Sequence, residues 1–408
     1  MGGVSDEVLL ARAFLNRVAE PASIPVWNMV RRDGAVEAAR AIRDGTVDDR
    51  VSEATAARAA HVDPYADLEA AQRHGIRLVV PESDEWPHFA FAALEATALR
   101  RLETYTSGQR KHAEGGELIP PLALWVRGTS ELSTVGVRSA ALVGARAATE
   151  YGERVARELA CGLAERGFVV VSGGAYGIDA AAHRGALAAD RDTVIVSAGG
   201  LDRAYPPGNT TLFERVAESG LLVSESPPGS APQRRRFLTR NRLIAALGTG
   251  TVVVEAARRS GAMNTAHHCT GLGRPLMAVP GPVTSAMSVG CHTLIAADTD
   301  SARLVTGLDD VLLTIGSASD LPVNPSAPSR SDLTSRLDQL DQPARQVFDG
   351  FPARGWVHPD RLAVRTGLSP LTVIRALPIL ELSGLIEVSD GGYRIVRPVS
   401  RSPSTQST

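Results

Sequence analysis

One stretch of the sequence concentrates groups that suit an anionic polymer. Residues 234–242 contain five arginines together with one phenylalanine and one asparagine. Arginine forks and an asparagine amide match the oxygens of a phosphodiester backbone, and an aromatic ring can stack on an unpaired base. A run of charged residues is more often a solvated surface with no ligand. The place of this run in the fold therefore decides whether it can form a binding site.

Two glycine-bearing turns offer a second element of an anion site. The first contains Gly144 and Arg146, and the second, residues 172–179, contains Gly173, Gly174 and Gly177. Glycine lets a backbone approach a phosphate closely and expose its amides as an anion-binding nest. The same glycines also suit a tight strand-to-helix turn, so both interpretations stay open. No Gly-x-Gly-x-x-Gly follows the first strand, and we therefore expect no dinucleotide cofactor.

The elements that must position these groups alternate between strand and helix. Short apolar runs predict strands at residues 140–144, 168–172, 193–197, 221–224, 251–255 and 276–280. Strands alternating with helices predict a right-handed, doubly wound parallel sheet, to which residues 121–127 add an edge strand. Ligands bind beyond the carboxyl ends of such strands. The glycine turns and the basic run, which precedes a predicted helix at 243–247, are expected at that edge.

Two further domains are predicted to flank the sheet. Residues 1–118 predict a helical domain of the SAM or helix-hairpin-helix type, in which Gly34 turns the chain between two helices. The sheet domain spans 119–316, and a Ser/Pro-rich linker follows at 317–331. Residues 332–398 predict three helices and two strands, the outline of a winged helix, with Pro378 expected to kink or shorten the last helix. Residues 399–408 are expected to be a disordered tail.

Composition limits the broad class of protein. A length of 408 residues predicts two or three domains. No apolar run approaches the ~20 residues that span a bilayer, and the first residues do not resemble a signal peptide. The three cysteines lack C-x-x-C spacing, so neither a zinc site nor a disulfide framework is expected, and we expect a cytoplasmic location. A net charge of −2 leaves room for a local basic patch.

The residues indicate no catalytic set. Asp179 and His183 are spaced to face each other on one helix, but no nucleophile accompanies them. His267 and His268 are adjacent and point to different faces, which disfavours a metal pair. The neighbours Cys291 and His292 favour packing at a helix start over thiol chemistry. We therefore predict that the protein is not an enzyme and holds neither a metal nor a cofactor.

Six motifs in order resemble the DprA/Smf family of DNA-processing proteins. They are Val-Gly-Ala-Arg at 143–146, Ser-Gly-Gly-Ala-Tyr-Gly-Ile-Asp at 172–179, Tyr-Pro-Pro-Gly-Asn at 205–209, Ser-Glu-Ser-Pro-Pro-Gly at 224–229, Arg-Asn-Arg-Leu-Ile-Ala at 240–245 and Val-Pro-Gly at 279–281. Together they cover most of residues 120–316. One glycine motif alone would be weak, whereas six in order are specific.

The resemblance implies an extended Rossmann-like fold that binds single-stranded DNA with little sequence preference. It also implies protection of that DNA, help in loading RecA recombinase during DNA uptake and recombination, and a homodimer formed through the Rossmann-like domains. The family contains no established enzyme. By this resemblance, phosphates would meet Arg146, Arg240, Asn241 and Arg242, while Gly173, Gly174 and Gly177 would shape the pocket floor. Additional DNA contacts are expected from Arg234, Arg235, Arg236 and Phe237.

The chain departs from the family pattern at three positions. Ala145 stands where a serine is usual, and Leu238 replaces the proline that usually precedes the Arg-Asn-Arg trio. Pro207 occupies a position that is often lysine, so one expected phosphate contact is in doubt. The arginines at 234–236 offer compensating charge.

Two other functions compete with this interpretation. A nucleotide phosphoribohydrolase of the lysine-decarboxylase-like Rossmann group would carry Pro-Gly-Gly-x-Gly-Thr-x-x-Glu, whereas residues 250–255 are one residue too long and lack the Pro-Gly-Gly. A regulator that reads duplex DNA would use the winged helix. Its predicted recognition helix, residues 370–383, offers Arg375 as its one basic residue, which is poor for a major groove.

Overall fold

The protein divides into two compact units, Met1–Leu321 and Pro322–Thr408. The computed structural model describes residues 4–106, 118–299, 301–317, 320, 340–352, 355–389 and 392–396. Most of the predicted linker at 317–331 and all of the predicted tail at 399–408 lie outside the described residues. The first unit contains both the predicted helical domain and the predicted sheet domain.

A nine-stranded sheet forms the centre of the first unit. In chain order its strands are β1 Ile76–Val79, β2 Leu124–Gly128, β3 Ser139–Val143, β4 Val169–Ser172, β5 Thr193–Ser197, β6 Leu221–Ser224, β7 Thr251–Val253, β8 Leu276–Ala278 and β9 Arg303–Leu304. Their spatial order is β1-β2-β6-β5-β4-β3-β7-β8-β9. The strands from β3 to β9 pair in parallel, as predicted from the alternation of strands and helices.

The strand order reverses between β3 and β7. From β3 the chain adds β4, β5 and β6 on one side, and it then returns to place β7 and β8 on the other side of β3. The two strands are in register through Val143 and Val253. In a doubly wound sheet, the crevice beyond the carboxyl ends of the strands at such a switch point is the usual binding site.

The N-terminal segment completes the sheet, which the sequence did not predict. Strand β2 was expected at an edge, yet it lies between β1 and β6 and is antiparallel to both. Strand β1, from the segment predicted to be helical, is the edge strand. Trp125 of β2 is fully buried, and its indole Nε1 donates to Asn16 Oδ1 at 2.8 Å. The N-terminal helices therefore pack as part of the sheet unit.

Among the residues that the structure describes, six helices precede β2. They are α1 Asp6–Val18, α2 Ile24–Asp33, α3 Ala35–Asp44, α4 Asp49–Ala59, α5 Pro64–Arg73 and α6 His88–Thr106. Gly34, with φ of +83°, separates α2 from α3, as the turn prediction required. Apolar side chains from α1 to α3, among them Phe14 and Val26, form a core of their own.

Helices cover both faces of the sheet. They are α7 Glu150–Glu165, α8 Ile178–Ala188, α9 Thr210–Ser219, α10 Arg234–Leu247, α11 Gly261–Gly271, α12 Val289–Ile295 and α13 Leu308–Ile315. Successive residues of β3 enter different cores, with Leu142 on one face and Val143 on the other. Helix α10 begins at Arg234, so the basic run is helical and does not precede a helix as predicted. Among the described residues, no helix has the length and apolar character needed to cross a bilayer.

The second unit is a winged helix. It contains α14 Gln342–Asp349, α15 Pro359–Thr366 and α16 Pro370–Leu382, followed by the antiparallel strands β10 Ile386–Ser389 and β11 Gly392–Ile395. Gly367 ends α15 with φ of +69°, and Ser369 Oγ accepts from the Thr372 amide at 3.2 Å to cap α16. Helix α16 continues past Pro378 to Leu382, so the predicted shortening is wrong, whereas the alternative, a kink at Pro378, stays a prediction. Residues 390–391 of the predicted hairpin turn lie outside the described residues.

Candidate nucleic-acid interface

A cavity of ≈ 850 Å³ opens at the switch point of the sheet. Its walls come from the turns after β3 and β4, the loop after β7, one side of α10 and the first turns of α11. Four arginines and a single carboxylate supply the charge on these walls: Arg146, Arg234, Arg240, Arg259 and Asp179. The cavity is therefore a strongly basic recess at the position where doubly wound sheets bind ligands.

Helix α10 presents one face to this cavity. The residues of that face recur three or four positions apart, as one side of a helix requires: Arg234, Phe237, Leu238, Arg240, Asn241 and Ile244. The structure thus brings several of the predicted DNA-binding residues together with Arg146, although α10 and the β3 turn are far apart in sequence.

Phe237 is the centre of a small cluster at the cavity mouth. The guanidinium carbon of Arg146 lies 5.0 Å from the centre of the Phe237 ring, and that of Arg240 lies 5.9 Å away. The ring of Tyr205 lies 5.5 Å from the same ring, centre to centre. Tyr205 is 42% exposed and Tyr176, which lines an adjoining recess, is 47% exposed. The cluster combines accessible aromatic rings with cationic groups, the pairing that suits stacked bases and phosphates.

Arg240 is held beneath this cluster and is only 7% exposed. Its Nη1 donates to Gly173 O at 2.9 Å and also to Val196 O, so the side chain joins the ends of β4 and β5. Burial lowers the pKa of Arg240 to about 10, with Asp179 opposing the shift and Arg146 adding to it. The group stays cationic near neutral pH and contributes positive potential at the cavity floor.

Asp179 is the carboxylate of the cavity wall. Burial raises the pKa of its carboxyl, against the opposing influence of Arg240 and of hydrogen bonds such as the one from the Ala175 amide at 3.4 Å. Asn241 Nδ2 donates to Gly261 O and to Asn264 Oδ1, at 3.3 and 3.1 Å. Both polar groups line the cavity, but each is already engaged with the protein.

The glycines of the second turn bring parts of the protein close together. Gly174 and Gly177 have φ of +68° and +73°, which L side chains rarely adopt. A Cβ at Gly177 would overlap the carbonyl oxygens of Ala145 and Arg146, and one at Gly173 would lie 2.7 Å from Arg240 Nη2. These contacts explain why glycine occupies these positions, whether or not a ligand binds.

Arg242 does not reach the cavity, which corrects one sequence expectation. Its side chain is fully buried: Nη2 donates to Glu225 Oε1 at 2.8 Å and Nε donates to Ile119 O at 2.8 Å. Positions 240 and 242 are two apart, so they point to opposite sides of α10. Arg242 therefore stabilises the packing of α10 against the chain that enters β2.

Arg236 is also engaged by the protein. Its Nε and Nη2 donate to the two carboxylate oxygens of Glu20, at 3.0 and 2.9 Å, and Arg58 pairs with the same carboxylate at 2.6 Å. Within the predicted basic run, Arg234 and Arg235 are exposed and make no ion pair with a described residue. The run therefore supplies fewer free charges than its composition indicates.

Two residues of the site were not among those predicted. The sequence motifs include Tyr205 without assigning it a contact, and they do not include Arg259. Arg259 follows β7, so the rule that ligands meet the carboxyl ends of strands would have found it.

The groups considered for catalysis make structural contacts. His183 is fully buried beside Thr193, and Asp179 contacts its own turn. Burial raises the pKa of the Cys291 thiol to about 12, which disfavours the thiolate that a nucleophile needs. No cluster of three or more metal-ligating side chains occurs within the described parts of the chain.

Comparison with known proteins adds an independent line of information. The profile of a family described as DNA recombination-mediator protein A matches residues 111–316, and that of the DprA winged helix domain matches residues 331–392. A DNA processing protein DprA of Mycobacterium tuberculosis is 46% identical over 393 residues, which cover 96% of this chain and 95% of that relative. Both folded units thus have counterparts in the same set of proteins.

Two solved structures are also similar. The X-ray structure of DNA processing protein A from Streptococcus pneumoniae is 25% identical, with a TM-score of 0.58 over 77% of this chain and 99% of that chain. A structure of the Helicobacter pylori protein, described for its single-stranded DNA binding mode, is 29% identical, with a TM-score of 0.44 over 50% of this chain and 93% of that chain.

Proposed function

Because this chain belongs to the DprA/Smf family of DNA-processing proteins, we propose that it binds single-stranded DNA at the cavity of the sheet. In this proposal the protein protects the strand and helps to load RecA recombinase onto it during DNA uptake or recombination. It acts as a homodimer through its Rossmann-like unit in the cytoplasm, without catalysing a reaction. Protection of the strand, loading of RecA and the homodimer rest on the family resemblance. The cytoplasmic location rests on the cysteine content, and the absence of catalysis rests on the resemblance together with the lack of a catalytic set in the sequence.

The observation that carries the DNA-binding proposal is the Arg146–Phe237 pair at the cavity mouth. The exposed guanidinium lies over the ring at 5.0 Å, and the ring of Tyr205 lies 5.5 Å from it, centre to centre. Arginine meets a phosphate through charge-assisted hydrogen bonds, while the rings offer faces for bases. This pairing binds a polynucleotide without reading its sequence, since every base has a π face.

The same geometry favours single strands over duplexes. In a duplex the faces of the bases are covered by stacking, so Phe237, Tyr205 and Tyr176 gain nothing from them. In a single strand the faces are accessible, and each base stacked on an aromatic side chain contributes about 1–3 kcal/mol. A duplex is left with the phosphate contacts alone.

A salt titration tests this proposal. Binding of fluorescent single-stranded and double-stranded oligonucleotides of one sequence is measured at several salt concentrations. We expect tighter binding of the single strand at every concentration, and affinity that falls linearly with salt on a log–log plot. Equal affinity for the two forms would contradict a site built on base stacking.

The phosphoribohydrolase alternative requires an available carboxylate at Glu255. That carboxylate accepts from the Thr149 amide at 2.9 Å and from the Thr149 hydroxyl at 2.5 Å, at the start of α7. These bonds support a structural role for Glu255 as an anchor of the helix start. Release of ribose 5-phosphate from a nucleoside monophosphate by the purified protein would restore this alternative.

The duplex-reading alternative requires a polar recognition helix. Helix α16 instead exposes apolar side chains, with Leu371 58%, Ile374 55% and Leu382 89% exposed. Such a surface suits contact with a protein better than contact with a major groove. If single-strand binding belongs to the sheet unit, deletion of the residues after Ser331 leaves most of the affinity in place.

A further inference from the structure

We propose that Arg259 forms a second phosphate subsite, across the switch point from Arg146. Single-stranded DNA then passes over the cavity with consecutive phosphates held by side chains that follow β3 and β7. This inference rests on the proposed function and adds to it a binding residue and a path for the strand. Three observations support it: the distribution of unpaired arginines around the cavity, the surroundings of Arg259, and the position of Arg259 beyond the end of β7.

The free positive charge around the cavity comes from separate parts of the chain. In the basic run, Arg236 pairs with Glu20 and Arg242 pairs with Glu225. Arg240 is buried and donates to backbone carbonyls. The exposed arginines that line the cavity and make no ion pair with a described residue are Arg146, Arg234 and Arg259. Arg259 is therefore one of the few cationic groups ready to meet an anion from solvent.

The surroundings of Arg259 also favour an anion. Residues 256–262 contain no carboxylate. The adjacent Ser260 lines the cavity, its hydroxyl does not cap α11, and it has no hydrogen-bond partner among the described residues although its oxygen is buried. A Cβ at Gly261 would meet nothing within 4 Å, so the approach to this corner is open. A phosphate oxygen at Arg259 would find a hydroxyl donor beside it.

The position of Arg259 beyond the end of β7 indicates the path of the single-stranded DNA across the cavity. Arg146 follows β3 and Arg259 lies in the loop after β7, and these two strands flank the switch point. Phe237 of α10 lines the same cavity as both segments. A backbone held at both arginines must cross the cavity mouth, which places the intervening base near the aromatic cluster.

The test compares single substitutions in the full chain. Binding of a fluorescent oligothymidylate is measured across a range of salt concentrations for the wild type and for Arg259→Ala, Arg258→Ala and Arg146→Ala. Arg258 is the matched control, because it is the adjacent exposed arginine but does not line the cavity. Thermal unfolding of each variant checks that the fold is retained.

We expect Arg259→Ala to weaken binding by roughly three- to tenfold and to reduce the magnitude of the salt slope by about 0.7, the value for one lost phosphate contact on a single strand. Arg258→Ala should change affinity less than about twofold and leave the slope unchanged. Equal effects of the two substitutions would overturn the subsite. The positive charge of the loop as a whole would then explain both losses of affinity.

The outcome for Arg146→Ala separates this inference from the proposed function. If Arg146→Ala weakens binding and Arg259→Ala does not, the second subsite is wrong and the DNA-binding cavity stands. If neither substitution changes affinity, both proposals fail.

Discussion

The guanidinium of Arg146 lies over the ring of Phe237, with 5.0 Å between the guanidinium carbon and the ring centre. The two residues come from different strand connections: Arg146 follows β3, whereas Phe237 belongs to the helix before β7. The cavity mouth therefore depends on the sheet being complete. Each partner also contributes differently to DNA binding, one by charge and one by its π face, which makes their roles separable by experiment.

Replacing Phe237 by alanine should weaken binding of single-stranded DNA by about 1–3 kcal/mol, the contribution of one stacked base. The salt slope should stay the same, because no phosphate contact is lost. Fluorescence anisotropy at several salt concentrations measures both quantities. Phe89→Ala removes a ring that is 66% exposed and does not line the cavity, and it should leave affinity unchanged. A reduced slope for Phe237→Ala would contradict the assigned role.

Replacing Arg242 by alanine should destabilise the protein and have little specific effect on DNA contacts. It leaves Glu225 buried without its cationic partner, which typically costs about 3–5 kcal/mol. Urea denaturation measures this loss. The exposed Arg235→Ala should leave the free energy of unfolding nearly unchanged. The double substitution Arg242→Met with Glu225→Leu should recover much of the lost free energy of unfolding, because no unpaired buried charge remains. A double variant as unstable as Arg242→Ala would argue that loss of the ion pair is not the cause.

The behaviour of α10 illustrates what the sequence predicts and what it does not. The sequence identified the basic run and most of the strands near it, since each depends on local composition. The family resemblance placed Arg240 and Arg242 together at the phosphates, and a helix predicted to begin only at residue 243 gave no reason to separate them. Once α10 is known to begin at Arg234, the spacing of two residues alone separates these side chains.

The sheet order was beyond prediction for a different reason. Pairing of β3 with β7 joins residues more than a hundred positions apart, and short apolar runs carry no information about their neighbours. The switch point, and with it the place of Arg259 across from Arg146, follows from this pairing. Strand β1 was missed because four residues, two of them half-buried, give little periodic signal.

Replacing Gly177 by alanine should disturb the DNA site through the backbone. The added Cβ would strike the carbonyls of Ala145 and Arg146, so the turn that carries the Arg146 side chain must move. We expect weaker single-strand binding together with reduced stability. Gly45→Ala is the matched control, because Gly45 has a similar φ of +69° but open space around it. It should cost about 1 kcal/mol of stability and leave DNA affinity intact.

His183 should make the protein less stable as the pH falls below about 6.5. Thr193 Oγ1 donates to Val170 O at 2.7 Å, so it must accept from His183 Nδ1, which leaves Nε2 buried without a partner. Burial, reinforced by the nearby Arg240, lowers the pKa of His183 to about 3. Between pH 6.5 and 3 the unfolded chain binds a proton that the folded protein does not.

The expected result is a free energy of unfolding that falls by up to about 1.4 kcal/mol per pH unit in this window because of His183. Urea denaturation of the wild type and of His183→Gln at several pH values measures this contribution. The variant should have a shallower dependence on pH. If the two dependences are parallel, His183 is not the responsible group.

The antiparallel pairing of β1 with β2 sets a limit on how the protein can be dissected. A shortened chain that begins near residue 118, where the predicted helical domain ends, would retain β2 and lose β1. The bare edge of β2 would then expose a row of unpaired amides and carbonyls beside Trp125, a template for aggregation. Fragments meant to isolate the DNA-binding cavity should therefore keep the N-terminal helices, and insolubility of a shorter fragment would report a missing edge strand and not a missing function.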